Sequence, residues 1–398
     1  MAETVKNATV HNTKGDLFTS FNVDDFDIPH GKDEVWRFVP LRRLKGLHNG
    51  TFAPQAPEKV EIIIPEGLEG VSAEVISKID ARVGRSSAPV DRTGAQAFTS
   101  AQTAHYLNFA ANSVTKDLVQ IVTTGAGMDV TTFAHIVVEV EEGAEAVVDL
   151  RYTGSGVHTD NVEFVIGDNA KLTVIVDASW NDDAVHLSGH AAVLGRDSIL
   201  RHSVALFGGD VVRMIPRVRF TAPGGDAEML GVYFADDGQF FEQRLLVDHA
   251  TANCRSNVLY KGALQADPDS KKPEAHTSWV GDVLIRSNAQ GTDTYEANRN
   301  LVLTEGARAD AVPNLEIETG EIAGAGHAAT VGRFDDEQEF YLRARGIPPE
   351  EARRLIVRGF FSEVIGRIPV ANIREELENR VAAELETLHA RQSVEKQN

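Results

Sequence analysis

FAHIVVEVEEGAEAVVDL (residues 133–150), NVEFVIGDNAKLTVIVDA (161–178) and HAAVLGRDSILRHSVAL (190–206) share one design. In each, two β-branched runs flank a short turn of Gly, Asp, Asn or Arg. The turns fall at Glu142-Gly143-Ala144, Asp168-Asn169-Ala170, Arg196-Asp197-Ser198 and Gly225-Asp226. Ala144 to Ala170 is 26 residues, Ala170 to Ser198 is 28, Ser198 to Asp226 is 28, and another 28 reaches Cys254. A repeat in the twenties is the mark of a solenoid, since each coil holds two or three ordinary strands with their turns. Evenly spaced hairpins of a β-sandwich would give a similar rhythm. The constancy of the interval favours a parallel β-helix.

Outward from this core the texture changes. Residues 1–112 mix turns, short strands such as EIIIPEGL, and helical stretches. Pro40 interrupts DEVWRFVPLRRL (33–44), so that segment is not one helix. TSAQTAHYLNFAAN (99–112) is Ala-rich and predicts a helix. Residues 113–333 form the expected β core, and 334–398 the expected helical region. There, a helix over 335–345 ends at Gly346, and Pro348-Pro349 opens a second. Ala352, Leu355, Ile356, Phe360 and Val364 stripe that second helix. Ile373, Leu377, Val381 and Leu385 stripe a third. These stripes predict a covered surface: the end of the solenoid, each other, or a partner.

Composition excludes several function classes. With 39 Lys+Arg against 59 Asp+Glu, the net charge is −20, which repels phosphate backbones and argues against nucleic-acid binding. No apolar leader and no membrane-length apolar run are seen, so a cytoplasmic protein without a membrane segment is expected. The single cysteine, Cys254, permits no internal disulfide and cannot supply a thiolate-rich metal site. There is no GxxxxGK[ST] loop for ATP, no GxGxxG turn for a dinucleotide, and no GxSxG elbow.

Three positions merit individual attention. His186 and His190 have HxxxH spacing, but their context reads as strand, where such a pair sits about 13 Å apart. Ordinary structural histidines are expected. Cys254 reads as a small buried residue, since nothing beside it activates a thiol. His327 lies in AGAGHAATVG, among residues small enough for a partner backbone to approach. Neutral imidazole is a good iron ligand.

HAATVGRFDDEQEFYLRARGIPPEEARRLIVRGFFSEVIGRI (327–368) resembles the C-terminal signature of the SufB/SufD family of iron–sulfur cluster assembly proteins. The matching residues are His327, Ala329 and Thr330; Asp335, Gln338, Phe340, Tyr341, Leu342, Arg345 and Gly346; then Gly359 and Phe360. Leu259-Tyr260-Lys261-Gly262 resembles a second family stretch. Trp36-Arg37-Phe38 with Pro40-Leu41 resembles the W-R-F-x-P-L motif of the SufD branch. Arg299 stands where SufB members carry a cysteine, which also favours the SufD branch. Ala325 stands where some SufD relatives carry another, leaving no thiol beside His327.

The resemblance implies a right-handed parallel β-helix flanked by an N-terminal α/β region and a C-terminal helical region. It implies a scaffold and not a free-standing enzyme. A carbohydrate lyase or esterase on a β-helix is the competing class; no acid/base cluster repeats at the coil spacing to support it. The implied partners are SufB, paired through the β-helices, and the SufC ABC-type ATPase, docked on the region of Gln338, Phe340, Tyr341, Arg345, Gly346 and Phe360. The implied role of His327 is that of a metal-binding residue shared with SufB at the interface where a nascent Fe–S cluster forms. No cofactor is expected on the chain alone, and reduced FAD is associated with such complexes.

Overall fold

The computed structural model describes residues 13–267 and 270–395. At one corner of each coil a residue adopts the left-handed backbone: Asn112, Gly143, Asn169, Asp197, Gly224, Asn253 and Gly291, with φ from 54° at Asp197 to 84° at Gly224. Only Gly, Asn and Asp take this conformation at low cost, which is why the corners are visible in the sequence. The residue after each, from Gly143 onward, is small and buried: Ala144, Ala170, Ser198, Gly225, Cys254 and Thr292. Gly225, not Asp226, therefore occupies the corner stack, and Asp226 opens the next strand opposite Ile199. The step from Cys254 to Thr292 is 38 residues, because a loop is inserted between two strands of that coil.

The coils build two nine-stranded sheets. The first contains β1 (Val60–Ile63), β4 (Val119–Thr124), β6 (Glu145–Gly154), β8 (Lys171–Trp180), β10 (Ile199–Leu206), β12 (Asp226–Ala235), β14 (Arg255–Leu264), β16 (Asp293–Val302) and β18 (Gly324–Arg333). The second contains β2 (Val71–Ser77), β3 (Thr103–Phe109), β5 (Gly127–Val140), β7 (Gly156–Ile166), β9 (Val185–Leu194), β11 (Val211–Phe220), β13 (Phe240–His249), β15 (Ala275–Ile285) and β17 (Ala307–Ile317). All pairings are parallel except β1 with β4 and β2 with β3, which finish one end of the sheets. At the other end β17 and β18 are edge strands, each paired on one side only. This is the parallel β-solenoid expected from the corner spacing. Its apolar interior runs from Leu107 to Ala289.

The helix expected over 99–112 is not formed. Helix α1 (Arg92–Ser100), capped by Asp91, stops there, and the following residues are β3. Strand neighbours on both edges of β3 and burial of Ala104, Tyr106, Leu107 and Phe109 outweigh the helical preference of the alanines. Around Pro40 the chain makes two single 3-10 turns, Glu34–Trp36 and Leu41–Arg43, as the proline requires.

Both outer faces are covered. Trp36, Leu44, Leu47 and α1 lie on the second sheet. Helices α3 (Pro349–Ile365) and α4 (Ala371–Glu395) lie along the flank of the first, against Leu230, Phe234, Leu259 and Ala263. The apolar stripes thus pack against the side of the solenoid. In α4 the buried stripe is Ile373, Leu377, Val381 and Leu385, as the spacing indicated. In α3 Ala352 and Val364 are buried as the spacing indicated, but between them Val357 and Phe361 are buried in place of Ile356 and Phe360, Ile365 joins them, Leu355 is exposed and Phe360 half-buried. Runs such as LIV and GFF leave the helical phase open, and contact with Phe234 selects it. Helix α2 (Asp336–Ala344), capped by Asp335, packs beside α3 but buries none of its described side chains.

Candidate functional site

Alternation along β18 sets the direction of His327. It faces Glu296 of β16 in register, and the same column continues through Val258, Met229, His202, Val174 and Val148. Those residues line the interior. His327 ends the column, and with no further coil above it its side chain is 45% exposed. Ala325 and Ala329 flank it on the same face, so the imidazole stands on a shallow floor of small side chains.

Behind it lies a residue that sequence reasoning missed. Glu296 Oε1 is 3.9 Å from His327 Nδ1, and the Glu296 side chain is fully buried. Neither of its carboxylate oxygens makes a well-formed hydrogen bond, the Asn314 backbone N–H being the one donor near enough to favour its ionised form. Burial, then the nearby Asp282 charge, push its carboxyl up to about 8, so it is mainly neutral at pH 7. A Cβ on Gly281 would strike both the Trp279 ring and Glu296 Oε2, so glycine there lets the two share the space. The Tyr260 hydroxyl and Trp279 indole N–H are also buried and unpaired. The core thus ends at its open end in polar groups that are left unsatisfied. Chemically this offers an accessible imidazole with a protonatable carboxyl behind it. In sequence, YEANRN looks like an exposed polar strand, and nothing marks Glu296 as inward-facing.

The residues matched to the C-terminal signature fall in two places. Gln338, Phe340, Tyr341, Arg345 and Gly346 belong to α2 and its end, where Gly346 has φ 86°. Phe340 is 73% exposed and Tyr341 57%, with the Arg345 guanidinium 4.6 Å from the Tyr341 ring. Phe360 is not part of this surface. Its carbonyl accepts from Lys261 Nζ at 2.7 Å, and its ring packs on Phe361 against the solenoid. Arg299 points outward to Glu363 of α3, away from the His327 face.

Cys254 is a corner residue. It is fully buried, its Sγ is 3.6 Å from the Ala222 carbonyl, and burial pushes its thiol up, as befits an inert packing residue. His186 and His190 do not form a joint site. His190 Nδ1 meets His202 Nε2 at 3.1 Å, while His186 turns to Asp160.

His158, Asp160 and His186 are buried together within metal-binding reach of one another. The Trp180 indole N–H donates to His186 Nδ1 at 3.1 Å, so the proton of a neutral His186 sits on Nε2, facing Asp160. Tyr152 donates to the same carboxylate at 2.7 Å. Burial pushes the Asp160 carboxyl up, but His158 and His186 outweigh it and hold it well below the usual range. A metal-ligating histidine donates from its distal nitrogen, whereas His186 accepts there, so this cluster fits a hydrogen-bonded plug and not a metal site.

The family model for the SUF system FeS cluster assembly SufBD core domain matches residues 121–360. An iron–sulfur cluster assembly SufBD family protein of Mycobacterium tuberculosis is 56% identical over 376 residues, 94% of each chain. The iron–sulfur cluster assembly protein SufD of Escherichia coli is 26% identical over 400 residues, covering 90% of this chain and 89% of its own. SufD of Bacillus subtilis is 28% identical over 267 residues, covering 65% of this chain and 59% of its own. The match spans the solenoid, His327 and the α2 surface, and this chain belongs to the SufBD family of SUF iron–sulfur cluster assembly proteins.

Proposed function

We propose that this chain is the SufD-type scaffold subunit of a cytoplasmic SUF complex and not an enzyme in its own right. It pairs through its open solenoid end with a SufB-type subunit, docks a SufC-type ABC ATPase on α2, and presents His327 to a nascent Fe–S cluster. The cluster is cargo assembled between subunits. Reduced FAD is assigned to the assembled complex. One observation carries this reading: His327 sits exposed on the inner face of an uncovered last coil, over the buried, unpaired Glu296. Unpaired edge strands and small side chains suit close approach by a second β-solenoid. The only thiol, Cys254, lies at a buried corner, so sulfur ligands must come from the partner.

Purification of the tagged chain from its native cell tests the proposal. It should bring a SufB-type subunit and an ATPase with it; a chain recovered alone under gentle conditions would contradict it.

The docking role narrows to α2, because α3 and α4 are engaged by their own solenoid. Phe340→Ala with Tyr341→Ala should weaken ATPase capture by tenfold or more, since about 2 kcal/mol or more is usual for a buried aromatic anchor. Both rings are exposed, so the fold should be unaffected. Calorimetric titration with the ATPase reads this directly, and unchanged affinity would move the docking site elsewhere.

A further inference from the structure

The N-terminal layer does not seal against the second sheet. Between Lys14–Leu17, Glu34-Val35 and Val90-Asp91 on one side and β11, β13 and β15 on the other lies a cleft of about 170 Å³. Its walls include Leu17, Val35, Val90, Ile215 and Leu246, and four cationic side chains face it: Lys14, Arg213, Arg217 and Arg244. Two of these are matched. Lys14 is 3.5 Å from Glu34, and Arg213 is held by Asp91 and Glu242 at 2.6 Å each.

Arg217 and Arg244 have no such partner. Among the described residues none hydrogen-bonds to either guanidinium or pairs with it within ion-pair distance, and Arg217 Nη1 is buried without any acceptor. The remaining carboxyl of the cleft, Asp282, accepts from Asn314 at 2.9 Å and is itself pushed up by burial. Burial likewise lowers Arg217 to about 10 and lowers Arg244. Arg217 also lines an adjoining cavity of about 270 Å³, whose walls include Thr19, Ser86 and Ser87 together with Asp16, Asp248 and Arg219. A desolvated guanidinium nitrogen that faces a cavity and makes no hydrogen bond is unfavourable unless an anion reaches it.

We propose that this cleft is an anion-binding site in which Arg217 and Arg244 hold the carboxylate or phosphate group of a small organic molecule, with its apolar body against Leu17, Val35 and Val90. Two guanidiniums lining one cleft suit an oxyanion, and the apolar walls disfavour a fully hydrated inorganic ion. The site lies under the N-terminal layer and is separate from His327 and α2, so its failure would leave the scaffold assignment untouched.

Thermal unfolding and calorimetric titration of the full chain test it, with phenyl phosphate, butyrate and inorganic phosphate as probes at constant ionic strength. Saturable stabilisation by phenyl phosphate or butyrate is expected, and the stronger of the two identifies the headgroup. Arg217→Gln and Arg244→Gln should each weaken binding by about tenfold or more. Arg219→Gln, more than half exposed on the same strand, should leave it unchanged. Without ligand, Arg217→Gln should be at least as stable as the parent, because an unpaired buried charge is gone; saturating ligand should reverse that order. The site is overturned if neither organic anion stabilises the parent saturably, if inorganic phosphate alone does, or if Arg217→Gln and Arg219→Gln respond alike.

Discussion

Replacing Arg213 with methionine is expected to destabilise the chain by about 3–5 kcal/mol, among the largest effects of any single substitution. Its side chain is 1% exposed and bridges Asp91 Oδ2 and Glu242 Oε2, both at 2.6 Å. The Trp36 ring covers the guanidinium at 4.0 Å. The triad fastens α1, through its N-cap Asp91, to the outer face of the second sheet. Removing the cation strands two buried carboxylates, which is far worse than losing the pair as a whole. Adding Asp91→Asn and Glu242→Gln to Arg213→Met should therefore recover much of the loss. Denaturant midpoints of the single and triple variants measure this. A single variant within about 1 kcal/mol of the parent would contradict the triad's role.

Stability should fall steeply as pH drops from 6.5 toward 4. The interior holds histidines as neutral groups. Burial pushes His190 down to about 4 and His249 to about 3, and burial with the neighbouring His190 pushes His202 well below its usual value. In the unfolded chain each takes a proton near its ordinary pKa of about 6.5, so between the two values the unfolded state binds more protons. The stabilisation is complete above pH 6.5 and is lost as pH falls toward the folded-state values. From pH 6.5 to 5 the loss is on the order of 2 kcal/mol per histidine. His249 stacks on Phe220 and bonds Ser256 Oγ at 2.9 Å. His249→Gln should remove one histidine's share of the pH slope, whatever it does to stability at pH 7. Equal stability at pH 7 and pH 5 would contradict the account.

The parts of the fold legible in the sequence were those under strict local stereochemistry. A left-handed corner admits few residue types, so Gly143, Asn169 and Asp197 announced the coil before any contact was known. The offset at Gly225 arose because Gly225 and Asp226 are both acceptable turn residues, and only the register with Ile199 separates them. Beyond Cys254 the inserted loop lengthened the step, and the rhythm faded. The middle of the α3 stripe lies one position from its expected place, at Val357 and Phe361, since adjacent apolar residues permit two helical phases; Ala352 and Val364 at its ends are common to both. Glu296, Asp160 and His158 were not visible as a group. Each is a polar residue in an alternating strand, and its burial depends on which coil stacks above it. His158 meets His186 only because one full coil separates them in register. Arg217 and Arg244 belong to the same class: the sequence shows ordinary strand arginines, and only the covering N-terminal layer makes them unpaired and desolvated.

The central claim is that His327 serves the nascent cluster at a subunit interface. The most direct measurement is made on His327→Ala, with complex assembly and cluster content read in the same preparation. The side chain is 45% exposed and 3.9 Å from the buried Glu296, so truncation leaves the fold and the subunit contacts nearly intact. Imidazole binds iron and alanine does not. The account predicts a SufB–SufC–SufD-type complex recovered at parental yield with iron and sulfide content sharply reduced. Normal cluster content in the His327→Ala complex, or loss of the complex itself as the primary defect, would contradict it.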